Sequence, residues 1–249
     1  MSFIRGVRGC LSGFCFFIFG AGALIIGVVI LPLVFLSVRD RLRARAISIR
    51  VIKRSWHLFI FIMRFVGLIG VKVQSNISIP LSDIKGCVIV SNHPSLIDIV
   101  ILSTLFADPM CIVKGKLKEN WFMKHIVRRI YITNDLAAEN LLQDCREALK
   151  LGYNLVIFPE GTRSLPNKAP CCHRSPAHIA VAAHSSIIAL NISLTDAVLG
   201  KHQRFYEVSD RRIIYTITVR SYFPALQDES IPNSLNVRNI MRRIKKDIE

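Results

Sequence analysis

From Gly9 to Val38 the chain carries no charged residue. The core of this run, 14–36, is long enough to cross a bilayer as a helix, which takes ~20 apolar residues. A secretory signal has a shorter apolar region and a small-residue cleavage site, so it fits less well. Arg39, Arg41, Arg43 and Arg45 follow at once and place the C-terminal flank in the cytoplasm. Gly20, Gly22, Gly27 and Pro32 weaken a straight helix, so a bent or re-entrant hairpin stands beside a single span. A second apolar stretch, 56–71, is interrupted by Arg64 and is short for a span. With Trp56 at its start and Arg50, Lys53 and Arg54 upstream, it reads as a helix in the membrane interface, or one packed on the domain that follows.

Charge supports the same reading. The formal net charge is +16, and residues 1–54 hold nine basic side chains and one acid, half of the excess. Such a balance suits anionic lipid, anionic substrates or nucleic acid. No nucleic-acid module and no aromatics interleaved with basic residues on a soluble stretch are present, so nucleic acid is not an expected partner. The seven cysteines are odd in number and irregularly spaced, which favours reduced thiols over a disulfide framework. Cys171, Cys172, His173 and His178 lack a second ligand pair at finger-like spacing, so no metal is expected.

After about residue 80 short β-branched runs alternate with helical patterns. Strands are predicted at 87–91, 110–114, 155–158, 187–192 and 213–220, and helices at 96–106, 136–151, 176–184 and 235–248. The alternation implies an α/β domain with a mixed, partly parallel sheet flanked by helices. The expected organisation is a membrane anchor with a basic flank (1–55), an interfacial helix and linker (56–80), and a catalytic domain (81–249).

Two strand ends carry chemistry. The first, Ser91-Asn92-His93-Pro94-Ser95-Leu96-Ile97-Asp98, sets His93 before a helix and Asp98 in its first turn. Across such an elbow Asp98 can bond one imidazole nitrogen and leave the other as a base suited to deprotonating an alcohol. Ser95-Leu96-Ile97-Asp98 is also capping-box-like, so Asp98 can equally serve the helix start. The second is Phe158-Pro159-Glu160-Gly161-Thr162-Arg163-Ser164. Glu160 can accept from a hydroxyl, Gly161 permits close backbone approach, and Arg163 offers a fork suited to phosphate. An ordinary turn with a surface arginine is the plain alternative.

Together the two blocks resemble the PlsC-like glycerolipid acyltransferases, the family of 1-acylglycerol-3-phosphate acyltransferases. The resemblance implies that His93 takes the proton from an acceptor hydroxyl while Asp98 orients it. It implies that Glu160, Gly161, Thr162 and Arg163 bind the acceptor. A middle block, Ile112-Val113-Lys114-Gly115-Lys116-Leu117 continuing to Tyr131-Ile132-Thr133-Asn134, adds Lys114 as a substrate-binding candidate. Here the chain departs from the family, with Lys116 in place of a glutamate and Asn134-Asp135 in place of an arginine. The fourth block, 187–191, lacks its proline. Lys114, Lys116, Lys168 and Arg174 are alternative cations for phosphates.

The implied activity moves a fatty acyl group from acyl-CoA or acyl carrier protein to a lysophospholipid hydroxyl, such as that of lysophosphatidate, in phospholipid biosynthesis. A specialised glycolipid acceptor and a non-catalytic lipid-binding protein are the alternatives. No cofactor is expected beyond the thioester co-substrate, and backbone amides near Gly161 or Ser95 are candidates for stabilising an oxyanion. Membrane lipids and the acyl donor are the expected partners. The expected location is the inner membrane, with the catalytic domain on its cytoplasmic side.

Overall fold

The computed structural model describes residues 3–120, 124–165, 172–223 and 232–248. Helix α1 (Phe3–Ile25) runs through a π-helical turn (Ile26–Ile30) into α2 (Leu31–Ser37). The turn has a local cause. Pro32 lacks an N–H and its ring conflicts with the carbonyl four residues back, at Val28, so the widened turn absorbs the defect. Asp40 then caps α3 (Arg41–Phe65), accepting from the Leu42 amide at 2.9 Å. The two segments form a helical hairpin, with Phe16 and Phe19 against Phe59 at ring separations of 5.9 and 4.6 Å.

The rest is a seven-stranded sheet with helices on both faces. Its strands are β1 (Ile69–Gln74), β2 (Val88–Ser91), β3 (Pro109–Val113), β4 (Ile132–Thr133), β5 (Asn154–Ile157), β6 (Ile187–Leu194) and β7 (Ile213–Phe223), in the order β1-β7-β6-β2-β5-β3-β4. Every pairing is parallel except β6 with β7. Side chains alternate across the sheet. Val88 and Val90 of β2 and Leu155 and Ile157 of β5 meet α6 (Ala138–Lys150), α7 (Ser175–Ala183) and α8 (Asn233–Ile248). Ile89, Val156 and Ile188 meet α4 (Asp98–Leu105) and the C-terminal half of α3.

The predicted strands and helices after residue 80 are present, with the mixed sheet expected of them. Three elements were not foreseen: α5 (Lys124–Ile130), β4 and β1. The expected division at 55/56 falls inside α3, and the expected linker to residue 80 contains β1, which pairs with β7 from Ile69↔Ile213 onward. The helix of the 56–71 stretch ends at Phe65, and Leu68 and Ile69 are buried in the sheet's core. Phe3–Ser37 is long and apolar enough to cross a membrane, judged by length and composition, and only 22% of its most apolar window is buried. Cys15 and Leu31 face the domain, whereas Phe17 is 73% exposed, and on α3 Phe61 and Phe65 are 64% and 80% exposed. Apolar surface of this extent along two adjacent helices marks a contact surface.

Candidate active site

Strands β6, β2, β5 and β3 are neighbours and parallel, so their C-terminal ends open on one side of the sheet. His93 follows β2, Glu160 follows β5 and Lys114 follows β3. This is the crevice in which open α/β sheets bind ligands.

At the first elbow His93 Nδ1 lies 2.9 Å from Asp98 Oδ2. The same oxygen accepts from the Ser95 amide at 2.6 Å. Asp98, the first residue of α4, therefore does both things the sequence left open, orienting the imidazole and reaching back to the Ser95 amide in the turn that leads into the helix, as one half of a capping box. The other half is missing: the Ser95 hydroxyl pairs instead with Tyr215 Oη at 2.8 Å. Asp98 is fully buried, and its Oδ1 has no hydrogen-bond partner among the described residues. Burial raises its carboxyl above the ordinary range, opposed by the bonds from His93 and Ser95. Burial also pushes the Tyr215 phenol far up, so it stays a neutral partner for Ser95. With Nδ1 engaged, Nε2 is the ring nitrogen left for chemistry. The His93 side chain is 16% exposed and stacks on Phe158, ring centroids 4.0 Å apart.

The two elbows are bonded to each other. The Ser164 amide donates to the His93 carbonyl at 2.7 Å. The His93 amide donates to Glu160 Oε1 and to Ser164 Oγ, both at 3.2 Å, and Ser164 Oγ donates to Glu160 Oε1 at 2.6 Å. Asn92 fixes the other side: its amide group exchanges hydrogen bonds with the Ile192 backbone at 2.8 and 2.7 Å, joining the end of β2 to β6. Gly161 has φ +64°, a left-handed turn conformation that favours glycine.

The expected residues are not all placed alike. His93, Asp98 and Glu160 form one bonded group. Thr162 is exposed beside them. Lys114 is exposed, one strand beyond Glu160. Arg163 does not present a free fork: its Nη1 donates to the carbonyls of Leu199 and Gly200 at 2.9 and 2.8 Å, and its Nη2 to Lys201 at 3.5 Å. The amides suggested for an oxyanion are also engaged: Gly161 donates to Phe158, Ser95 to Asp98, and Leu96 to Leu199. The structure adds Ser164, Phe158 and Tyr215 to this group by contact. Ser164 and Phe158 lie within the second motif, whereas Tyr215 lies 120 residues from Ser95 and gave no local signal. Lys168 and Cys171 lie outside the described residues. Among the described residues no group of three or more His, Cys, Asp or Glu is placed to hold a metal ion.

A family model described as Acyltransferase matches residues 70–193, the span that contains both elbows. The chain belongs to the acyltransferase family. It is 36% identical over 105 residues to the 1-acyl-sn-glycerol-3-phosphate acyltransferase of Helicobacter pylori strain J99, a match covering 40% of this chain and 43% of that protein. The match thus spans less than half of the relative's length. The fold is similar to that of the 1-acyl-sn-glycerophosphate (LPA) acyltransferase PlsC from Thermotoga maritima. That likeness has a TM-score of 0.65 at 20% identity and covers 97% of each chain, N-terminal helices included.

The departures from the family's middle block have structural roles here. Asn134 Oδ1 accepts from the Gly115 amide at 3.1 Å, and Asp135 pairs with Lys118 Nζ at 2.9 Å. The Thr133 hydroxyl and Lys118 hold the Asp135 carboxyl below the usual range. A Cβ on Gly115 would come within 2.5 Å of Asp135, so glycine is required for this approach. The pair Asn134-Asp135 clamps the turn after β3 that carries Lys114 and Lys116.

Proposed function

We propose that this protein is a membrane-bound O-acyltransferase. It moves a fatty acyl group from acyl-CoA or acyl carrier protein to the hydroxyl of a lysophospholipid such as lysophosphatidate. The observation that carries the reading is the His93–Asp98 pair, 2.9 Å apart, held at the sheet's ligand edge by Glu160 and Ser164. Supporting it are the family match over both elbows and the activity in the name of the Helicobacter relative.

In this mechanism His93 Nε2 takes the proton of the acceptor hydroxyl as its oxygen attacks the thioester carbonyl. Asp98 holds the imidazole through Nδ1 and steadies the imidazolium that forms. Phe158 limits rotation of the ring. The tetrahedral intermediate collapses with cleavage of the C–S bond, and the departing thiolate recovers the proton from His93. A thioester is already activated, so base, orientation and charge stabilisation suffice without a cofactor. Glu160 lies beside the base, where it can position acceptor hydroxyls. The hairpin of α1, α2 and α3 seats the site at the bilayer surface, with Phe17, Phe61 and Phe65 in the lipid and the Arg39–Arg45 flank on the cytoplasmic face.

The protein in detergent, given acyl-CoA or acyl carrier protein thioesters and a panel of lysolipids, should form the diacyl product seen by mass spectrometry. His93→Ala should abolish transfer and still associate with membranes. Full activity in that variant would refute the mechanism.

A further inference from the structure

The segment 195–203 follows β6 and lies just beyond the family match, which ends at 193. It is fastened to the site. The Leu199 carbonyl accepts from the Leu96 amide at 3.1 Å and from Arg163 Nη1 at 2.9 Å, and the Gly200 carbonyl accepts from Arg163 at 2.8 Å. Leu199 is buried with φ +52°, a conformation uncommon for a non-glycine residue and held here by these bonds. Gln203 closes the turn on the Gly200 amide at 3.0 Å.

This loop forms one wall of a cavity of about 460 Å³. Opposite it stand Pro94, next to His93, and Ser164, which bonds the His93 amide. Lys201 and His202 line the cavity, and neither forms an ion pair among the described residues. The loop's one acid, Asp196, accepts from the Ala197 amide and is not part of the lining. Leu165 and Leu194 make the remaining surface largely apolar. The volume is in the range of small-molecule sites. An apolar recess with two cationic groups, opening beside a base, suits an amphiphile with an anionic end.

We propose that this cavity seats a phosphate-bearing end of a substrate, with Lys201 and His202 as its ligands and Arg163 as the positioning residue that holds them. The assignment rests on the acyl-transfer reading above. The guanidinium of Arg163 is taken up by three carbonyls, and the charge that meets phosphate comes from the loop it fastens. The phosphate belongs either to the acceptor's headgroup or to coenzyme A.

Steady-state kinetics on the full chain in detergent separate these sources. The variants are Lys201→Ala/His202→Ala and Lys201→Arg, both on half-buried or exposed positions. The acceptor arm compares lysophosphatidate with monoacylglycerol, and the donor arm compares acyl-CoA with S-acyl-pantetheine. In the double variant KM should rise about tenfold or more for the phosphate-bearing member of one arm, with kcat little changed and the phosphate-free member unaffected. Lys201→Arg should retain most of the wild-type KM. A rise in the acceptor arm assigns the headgroup, and a rise in the donor arm assigns coenzyme A. Unchanged KM in both arms, or equal rises with and without phosphate, overturns the assignment while the acyl-transfer reading stands. Failure of the wild-type protein to transfer acyl groups with any pair overturns both.

Discussion

His93 and Asp98 are joined at 2.9 Å through an oxygen that also receives the Ser95 amide. One carboxylate oxygen thus holds the His93 ring and the turn leading into α4 together. Substitutions at Asp98 can separate the two roles.

Asp98→Asn keeps an oxygen for the Ser95 amide but presents His93 with a different hydrogen-bonding partner. Activity should fall by about 10²–10⁴-fold, because the wrong tautomer is favoured. The melting temperature should stay near that of wild type. Asp98→Ala should lose activity and in addition about 1 kcal/mol of stability with the cap. Thermal unfolding and turnover on the same samples check both. An active Asp98→Asn protein would reduce Asp98 to a cap.

Burial raises the Asp98 carboxyl above its ordinary value of 3.8. In the window above that value the unfolded chain has released this proton while the folded chain keeps it, so stability attributable to Asp98 declines as pH rises through the window and then levels off. Asp98→Asn has no such proton. The stability of the variant relative to wild type should therefore increase with pH across the window. Melting curves from about pH 4 to 7 measure it, and a stability of the variant relative to wild type that falls with pH would contradict the burial argument.

Arg163 bridges the Glu160 elbow and the loop at Leu199–Lys201 by bonds of 2.9, 2.8 and 3.5 Å. Arg163→Ala should cost about 1–3 kcal/mol of stability and expose the loop to protease. Arg163→Lys, with a single point charge in place of the fork, should recover only part of either effect. Unaltered proteolysis of 195–203 in Arg163→Ala would show that the loop is held by other contacts.

Phe17, Phe61 and Phe65 lie on the uncovered side of the hairpin, whereas Phe19 and Phe59 pack within it. Replacing the first three with serine should weaken vesicle flotation by tenfold or more, at about 2 kcal/mol per aromatic withdrawn from lipid. The variant should retain its fold by circular dichroism. Undiminished flotation would place the membrane contact elsewhere.

Local pattern was enough for several features. The uncharged run from Gly9, the strand–helix alternation after residue 80 and the two polar elbows are properties of residues close in sequence, and periodicity and turn chemistry act at that range. The dual role of Asp98 was legible in outline because His93, Ser95 and Asp98 lie within six positions. Packing over long separations decided the rest. β1 hid in an apolar stretch because its partner β7 begins at Ile213, and an edge strand has no signature apart from its neighbour. Tyr215 meets Ser95 through the sheet order, and Arg163 is drawn from an apparent phosphate fork to three carbonyls because β5 and the loop after β6 end on the same side of the sheet. The sequence by itself determined most of the elements after residue 80 and the His93, Asp98 and Glu160 candidates. Only the tertiary structure decided which of those residues face one another, since that depends on strand order, and strand order is set by burial across the whole chain.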